Sequence, residues 1–300
     1  MDPCDGPGDA RINPGVIKRA LAIVTESEIR ITPRDLARCL AKDAGISTKE
    51  AKKVLKYLVD INELSYSYDL GATQVEPSFA RPVRVTDHLV LSPWATNPAP
   101  PSIEILLSPG ISFGSGKHPT TRLCLEAIDL SLLGPGFPET TPQVPADISP
   151  PAPSERTGAR HYARAADVGT GSGVLALAMV KAGCDSCLAL DTDLNSASEA
   201  MQNVILNGLE RQIEVTTDLL APSHGTFDLI AANLRFPTLK GLAPLLQTLL
   251  DNLGCLIFSG IKPYELHGLI QHYSDHGFTP AWTKDEKEWS ALVLKKTWKP

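Results

Sequence analysis

Apolar side chains recur every three or four positions through the first sixty residues, which is the period of an α-helix. The pattern predicts a short helix over Gly15–Val24 and a second helix that begins at Thr32, where a capping threonine precedes Pro33. A third helix begins at Ser47, because Ser47 and Glu50 have the spacing of a capping box. We therefore expect the chain to start with a small helical domain.

Polar and apolar residues then alternate over Glu63–Leu70, which is typical of a β-strand. Three helices followed by a hairpin predict a winged-helix-like domain over residues 14–75. The segment before it, residues 1–13, is rich in proline, glycine and aspartate, a composition typical of disorder. The segment after it, residues 76–102, is predicted to be a proline-rich connector that contains one strand over Arg84–Leu91.

From residue 103 onward, short apolar runs alternate with amphipathic helical segments, which is the pattern of an α/β domain. Ile103–Leu107 predicts a strand, and seven further runs after residue 162 predict a Rossmann-like sheet. The second domain therefore covers residues 103–300. It is interrupted at residues 134–161, where seven prolines predict a disordered or extended insertion.

The sheet begins with a glycine turn that is a candidate ligand site. Asp167 ends the first apolar run, Gly169, Gly171 and Gly173 follow at alternate positions, and Asp191 ends the next run. Strand, glycine turn, helix, strand and acid form the first half of a nucleotide-binding α/β sheet. Glycines allow the backbone to approach a ligand closely, and Asp191 is placed to accept hydrogen bonds from a ribose.

Two cofactors use such a layout, and the glycine spacing separates them. A dinucleotide site needs G-x-G-x-x-G, whereas this chain has G-x-G-x-G and places Val174 at the position of the last glycine. S-adenosylmethionine (SAM) carries an ammonium and a sulfonium and no phosphate, so that Asp167 near the turn suits it better. The spacing favours SAM over a dinucleotide, while a ligand-free α/β domain stays open as the alternative.

Charge is spread unevenly along the chain. The net charge is −6, which argues against broad nucleic-acid binding by the whole chain, but ten basic and six acidic residues give Gly15–Ile61 a net charge of +4. The third helix carries Lys49, Lys52, Lys53 and Lys56. This basic face indicates nucleic-acid contact, protein docking or a solvated helix surface, and the sequence leaves all three open.

The cysteine and histidine positions do not predict a metal site. Cys184 and Cys187 form a C-x-x-C pair, but a second pair at zinc spacing is missing from the sequence. His267, His272 and His276 lie on one predicted helix without a carboxylate or cysteine that completes a ligand set. The apolar runs are too short to span a membrane and the first residues do not resemble a signal peptide, so we expect a cytoplasmic protein.

Six short segments in order resemble the signatures of the bacterial methyltransferases of ribosomal protein L11, the PrmA family. The loop P-G-I-S-F-G-S-G-K-H-P-T-T is similar to their loop before the glycine turn, and D-L-I-A-A-N-L is similar to their D-x-x-x-A-N-[IL] motif. The resemblance covers roughly residues 103–297. The segments are residues 109–121, 167–178, 188–193, 228–234, 256–261 and 288–289.

The resemblance implies the fold and roles for cofactor-binding residues. It implies a class I methyltransferase with SAM as cofactor and a seven-stranded sheet, parallel but for one reversed edge strand. Asp218, after the third strand, would meet the adenine amine, with a capping or solvated aspartate as the alternative. Phe113 and Thr121 belong to the loop that folds over the cofactor, together with His118 and Thr120. For His118 a packing or hydrogen-bonding role is favoured over that of a general base.

Asn233 is the candidate catalytic residue, and it also borders the cofactor. It ends the fourth strand, where the methyl group should face the acceptor. Its amide oxygen or its carbonyl can orient an acceptor amine without acting as a base. The alternative is an ordinary turn residue at the end of a strand.

The sequence therefore predicts a SAM-dependent methyltransferase that methylates amines on a protein substrate, with a ribosomal protein as one candidate. Alternatives are a nucleic-acid or small-molecule methyltransferase, or a SAM-binding winged-helix module without transfer activity. The chain departs from the L11 enzymes in its helical N-terminal domain, in the insertion at 134–161, and in Arg235-Phe236-Pro237 after Leu234. Nucleic acid stays a candidate partner of the N-terminal domain; neither a membrane nor a metal is expected.

Overall fold

The structure, a computed structural model, describes most of the 300-residue chain as two compact units that divide between Arg81 and Pro82. The division falls within the predicted connector. Residues 1–11, and all of the predicted insertion except Gly134, lie outside the described residues. The described residues are 12–27, 31–69, 71–78, 80–108, 112–114, 116, 118–134 and 162–296.

The N-terminal unit contains the three predicted helices and a hairpin. Its elements are α1 (Pro14–Thr25), α2 (Pro33–Ala44), α3 (Thr48–Asp60), β1 (Leu64–Asp69) and β2 (Ala72–Pro77), and the two strands pair antiparallel. The predicted capping box is present at the start of α3, where the Glu50 amide donates to Ser47 Oγ and the Ser47 amide donates to Glu50 Oε2. Leu36, Leu40 and Leu58 are fully buried between the helices. The assignment of this unit to winged helices stays a prediction.

The second unit begins with a small sheet that the sequence did not predict as such. Its strands are β3 (Val83–Arg84), β4 (Leu89–Ser92) and β5 (Ile103–Leu106); β3 pairs antiparallel with β4, and β4 pairs parallel with β5. The prediction of a single strand over Arg84–Leu91 was wrong. A turn divides it, because Thr86 Oγ1 accepts hydrogen bonds from the amides of His88 and Leu89.

The main sheet has seven strands in the order β11-β12-β10-β9-β6-β7-β8. Six strands run in the same direction, and β12 pairs antiparallel with both β10 and β11. The elements are α4 (Pro119–Leu132), β6 (Arg164–Val168), α5 (Val174–Lys181), β7 (Ser186–Leu190), α6 (Leu194–Leu206), β8 (Ile213–Thr216), β9 (Phe227–Asn233), α7 (Phe236–Leu249), β10 (Leu250–Ile261), α8 (Pro263–Asp275), β11 (Phe278–Glu286) and β12 (Trp289–Lys296).

The reversed strand lies inside the sheet and not at its edge, which corrects the sequence-based expectation. After β10, helix α8 crosses over to β11, which is not adjacent to β10 in the sheet. One strand position, a gap, therefore remains between them. The hairpin after β11 then returns the chain antiparallel into that gap, and Lys287 in its turn has a positive φ of 58°. The edge strand on this side is therefore β11.

The centre of the sheet is buried on both faces. In β6 and β9, Ala165, Ala166, Leu229, Ile230 and Ala231 have no exposed surface. Small and aliphatic side chains allow helices to pack on both faces of a parallel sheet. Because β6, β7, β9 and β10 run parallel to one another, their carboxyl ends meet at one edge of the sheet, where open α/β sheets bind ligands. Among the described residues, no helix is long and apolar enough to cross a membrane.

Candidate functional site

The glycine turn at this edge has a backbone that other residues cannot adopt without strain. Gly169, Gly171 and Gly173 have φ angles of 77°, 55° and 83°. A Cβ atom on Gly171 would lie 2.3 Å from the carbonyl oxygen of Phe113, and one on Gly169 would lie 2.6 Å from Leu234 Cδ2. The turn is therefore packed between the loop that precedes α4 and the chain that leaves β9.

Asp191 lies directly beside this turn. Its Oδ2 accepts a hydrogen bond of 2.9 Å from the Gly171 amide, and its Oδ1 accepts one of 3.0 Å from the Asp193 amide. The carboxylate is only partly buried, so both oxygens keep lone pairs that a ligand can use. The structure thus brings together the glycine turn and the acid, as the sequence predicted.

Asp167 lies beneath the turn and is fully buried. Its Oδ2 accepts hydrogen bonds of 2.6 Å from Thr170 Oγ1 and 3.1 Å from the Ala176 amide, which brace the turn against α5. Burial raises the pKa of Asp167 to about 6, although the two hydrogen bonds favour the carboxylate. Its Oδ1 lacks a hydrogen-bond partner among the described residues.

We expect Asp167 to make the protein less stable at neutral pH than at about pH 5. The pKa of Asp167 rises from 3.8 to about 6 on folding, so its stabilising contribution is complete below about pH 4 and is lost as the pH rises through about 6. Asp167→Asn should therefore raise the free energy of unfolding, relative to wild type, by up to about 3 kcal/mol more at neutral pH than at pH 4. Denaturant titrations across this range measure it, and parallel pH profiles of the two proteins would contradict it.

Asn233 ends β9 at the mouth of the site. Its Cα pairs with Ser259 of β10, and its partly exposed side chain is not hydrogen-bonded to any other described residue. The next residues are tightly packed: a Cβ atom on Gly260 would lie 2.4 Å from the carbonyl oxygen of Leu234. This packing fixes the backbone beside Asn233 and leaves its amide free to bind a ligand.

A row of aromatic rings extends from the loop before α4 to the start of β12. Phe113 is 52% exposed, and its ring centroid lies 5.1 Å from that of His118, which lies 5.0 Å from that of Trp289. Lys262 Nζ lies over the Trp289 ring, 3.7 Å from its centroid. His118 Nδ1 is 2.8 Å from Thr120 Oγ1, so this ring packs and hydrogen-bonds at the start of α4.

Sequence reasoning assigned no role to Trp289 or Lys262. The E-W pair was a signal for Trp289, because it matches the family's late motif. Lys262 gave no local signal, since its position over the indole depends on the pairing of β10 with β12.

Thr121 and Asp218 occupy different environments. Thr121 is fully buried in the first turn of α4, and its Oγ1 lacks a partner among the described residues. Asp218 is exposed two residues after β8, and its Oδ2 accepts a hydrogen bond of 3.0 Å from Thr216 Oγ1. Its neighbour Leu219 is 75% exposed, as is Leu194 at the start of α6.

The residues present fit SAM. In the described part of the chain, the buried side-chain polar atoms without a partner are on Thr121, Asp167, Ser172 and Trp289, all of which belong to the segments just described. Buried polar atoms are normally hydrogen-bonded, so this concentration is typical of a ligand site. Asp167 and Asp191 give the turn an acidic lining, which suits an ammonium and a sulfonium and opposes a pyrophosphate. No group of three metal-ligating side chains occurs among the described residues.

A seven-stranded sheet with β12 reversed, a glycine turn after β6 and an acid after β7 make up the class I methyltransferase fold. The chain belongs to the PrmA family: the family model described as ribosomal protein L11 methyltransferase (PrmA) matches residues 72–297. S-adenosyl-L-methionine is the cofactor of this family. The match starts earlier than the predicted residue 103, at the hairpin of the N-terminal unit.

Individual relatives agree with this assignment. A ribosomal protein L11 methyltransferase of Geotalea daltonii is 34% identical over 219 residues, 72% of this chain and 64% of that protein. One from Lactobacillus delbrueckii subsp. bulgaricus is 30% identical over 273 residues, 88% of this chain and 76% of that protein. A crystal structure of ribosomal protein L11 methylase from this Lactobacillus has a TM-score of 0.58 and 29% identity, covering 73% of this chain and all of that chain. The chain spans less than two thirds of the length of the Geotalea relative.

Proposed function

We propose that this protein is a SAM-dependent methyltransferase that methylates amines of a protein substrate, with ribosomal protein L11 as the first candidate. The observation that carries the proposal is the position of Asp191 and Asn233 at the carboxyl ends of β7 and β9, the two strands that flank β6 and its glycine turn, in a chain of the PrmA family. A protein that acts on a ribosomal component would work in the cytoplasm.

The proposed cofactor site is built around the glycine turn. Gly169, Gly171 and Gly173 allow the tight turn whose backbone would face the amino-acid end of SAM, and Asp167 supplies negative charge from beneath. Asp191 accepts hydrogen bonds from the two ribose hydroxyls. The remaining members are Asp218 with its exposed neighbour Leu219 at the adenine, Phe113 in the loop that lies against the turn, and Thr121 in the first turn of α4.

The proposed reaction depends on positioning. When bound, SAM supplies a methyl group that is activated by the adjoining sulfonium. Asn233 would accept a hydrogen bond from the acceptor amine, so that the nitrogen lone pair points at the methyl carbon in line with the bond that breaks. Asn233 does not need to take the proton, because a deprotonated amine is the reactive form. The row of Phe113, His118 and Trp289 would border the acceptor.

Radiolabelled methyl transfer tests the proposal. Purified L11 and a lysate separated into protein, nucleic-acid and small-molecule fractions would be incubated with the protein and labelled SAM. We expect label in the protein fraction and on L11. Label confined to another fraction would support an alternative methyltransferase, and SAM binding without turnover in any fraction would support a binding module.

Asp191, which we propose binds the ribose hydroxyls, gives a direct test of the cofactor site. Asp191→Ala should weaken SAM binding by about 2–3 kcal/mol, the scale of a lost charge-assisted hydrogen bond. Calorimetry with the folded variant measures the change. An affinity equal to that of the wild type would place Asp191 outside the site.

We also propose that the N-terminal unit recognises the macromolecular substrate. The domain limits proposed from the sequence, 14–75, 76–102 and 103–300, can be tested with a shortened protein that starts near Arg81, which should bind SAM but lose most transfer to L11. Full transfer by the shortened protein would contradict this role. Nucleic-acid contact through α3 stays a prediction, and its basis is the four exposed lysines Lys49, Lys52, Lys53 and Lys56.

A further inference from the structure

One face of α6, together with its C-cap residue, carries three polar side chains that bind the main chain of distant residues. Glu199, Asn203 and Asn207 are four residues apart, so they lie in one row along the helix. The residues that they bind are Leu106 at the end of β5, Ser108 shortly after it, and Ser112 next to Phe113. The row therefore links the helix after Asp191 to the loop beside the glycine turn.

Asn203 is the centre of this row and is fully buried. Its Oδ1 accepts hydrogen bonds of 2.9 Å from both the amide and the hydroxyl of Ser108. Its Nδ2 donates a hydrogen bond of 2.9 Å to the carbonyl oxygen of Ser172 in the glycine turn. A single amide thus joins the glycine turn to the segment that precedes Phe113.

The other two side chains extend the same contact in both directions. Glu199 Oε2 accepts a hydrogen bond of 3.0 Å from the Ser112 amide. Asn207 Oδ1 accepts one of 3.0 Å from the Leu106 amide, and its Nδ2 donates one of 2.8 Å to the Leu106 carbonyl oxygen. The row holds this segment at three points, which a single side chain could not do.

The turn and the loop are also joined directly, which closes a ring of contacts. The Ser172 amide donates a hydrogen bond of 2.8 Å to the carbonyl oxygen of Phe113. Ser172 is therefore held through its amide by the loop and through its carbonyl by Asn203. Because Gly171 packs against the same Phe113 carbonyl, a shift of the loop would displace the turn that should hold SAM.

We infer that Asn203 is a positioning residue of the SAM site, and that the row Glu199, Asn203 and Asn207 fixes the glycine turn and Phe113 relative to each other before the cofactor binds. This inference rests on the proposed function. Asn203 itself is buried behind the turn, so it acts through Ser172 and Ser108. Moving a buried amide whose oxygen and nitrogen both have hydrogen-bond partners would leave buried polar groups unpaired, and a preformed site avoids the entropy of ordering on binding.

The test compares variants by calorimetric binding of SAM and S-adenosylhomocysteine. Asn203→Leu, which has a similar volume and lacks all these hydrogen bonds, should raise both dissociation constants about tenfold or more. Asn203→Asp keeps the acceptor for Ser108 but places an oxygen against the Ser172 carbonyl, so it should raise them as well. In both variants, turnover at saturating SAM should be much closer to the wild-type value than turnover at low SAM.

Two further variants keep the inference falsifiable. Ser108→Ala removes one hydrogen bond to Asn203 at a partly exposed position, should fold in any case, and should raise the dissociation constants about two- to fivefold. Tyr273→Phe is the control, because it removes a buried hydrogen bond of 2.6 Å to the Leu239 carbonyl oxygen between α8 and α7. It should lower stability without changing either constant.

The outcomes separate the inference from the proposed function. Wild-type protein that does not bind SAM would contradict the proposed function. Wild-type protein that binds SAM, together with unchanged constants in folded Asn203→Leu or in Ser108→Ala, would overturn the inference alone. Equal weakening by Tyr273→Phe would also overturn it, since the effect would then follow from stability and not from position.

Discussion

Gly171→Ala is expected to abolish measurable SAM binding, with a rise of at least about 100-fold in the dissociation constant, or roughly 2.7 kcal/mol. The alanine Cβ would lie 2.3 Å from the carbonyl oxygen of Phe113, and this oxygen is held by the Ser172 amide. The φ of 55° adds about 1–2 kcal/mol of strain for a residue with a side chain. The loop and the turn must therefore separate where the cofactor should bind.

Gly208→Ala is the matched control for this prediction. Gly208 has a similar φ of 68°, but a Cβ atom there meets nothing within 4 Å. The control should lose about 1 kcal/mol of stability from backbone strain and keep its affinity for SAM. Calorimetry on both folded variants gives the comparison. Wild-type affinity in Gly171→Ala would mean that the turn does not bind the cofactor.

Asn233→Ala should lower turnover by about ten- to a thousandfold, which is roughly 1.4–4 kcal/mol in the barrier. The side-chain amide is free of other described partners at the mouth of the site, so its loss removes a contact to the acceptor and leaves the sheet intact. A lost transition-state contact lowers turnover, whereas uniform weakening of binding raises only the Michaelis constant. Affinity for SAM should change much less.

Single-turnover rates at saturating SAM measure this effect. Asn233→Asp keeps the shape but adds a charge that favours the protonated, unreactive amine, so it should also be slow. Asn252→Ala, at an exposed asparagine near the start of β10, is the control and should react normally. Normal transfer by Asn233→Ala, or a defect confined to SAM affinity, would contradict the assigned role.

The position of the proposed cofactor site could be derived from the sequence because its parts are local. Gly169, Gly171 and Gly173 form the turn between a strand and a helix, Asp191 directly follows β7, and Asn233 ends β9. The carboxyl ends of parallel strands meet at one edge, so residues that end strands come together once the strand direction is known. Capping signals such as Ser47 with Glu50 were equally local, and they predicted the start of α3 correctly.

The sequence pattern could not predict which strands pair or which groups a polar side chain binds, because both depend on contacts between distant segments. The strand pattern showed that β11 and β12 exist, but only the path of α8 determined that the reversed strand lies between β10 and β11. In the same way, the sequence pattern assigned no role to the polar residues of α6. Burial of Asn203 against Ser108 and Ser172, which are 95 and 31 residues away along the chain, made it part of the site. Local periodicity predicts which face of an element is apolar, whereas the partner of a polar residue follows only from tertiary packing.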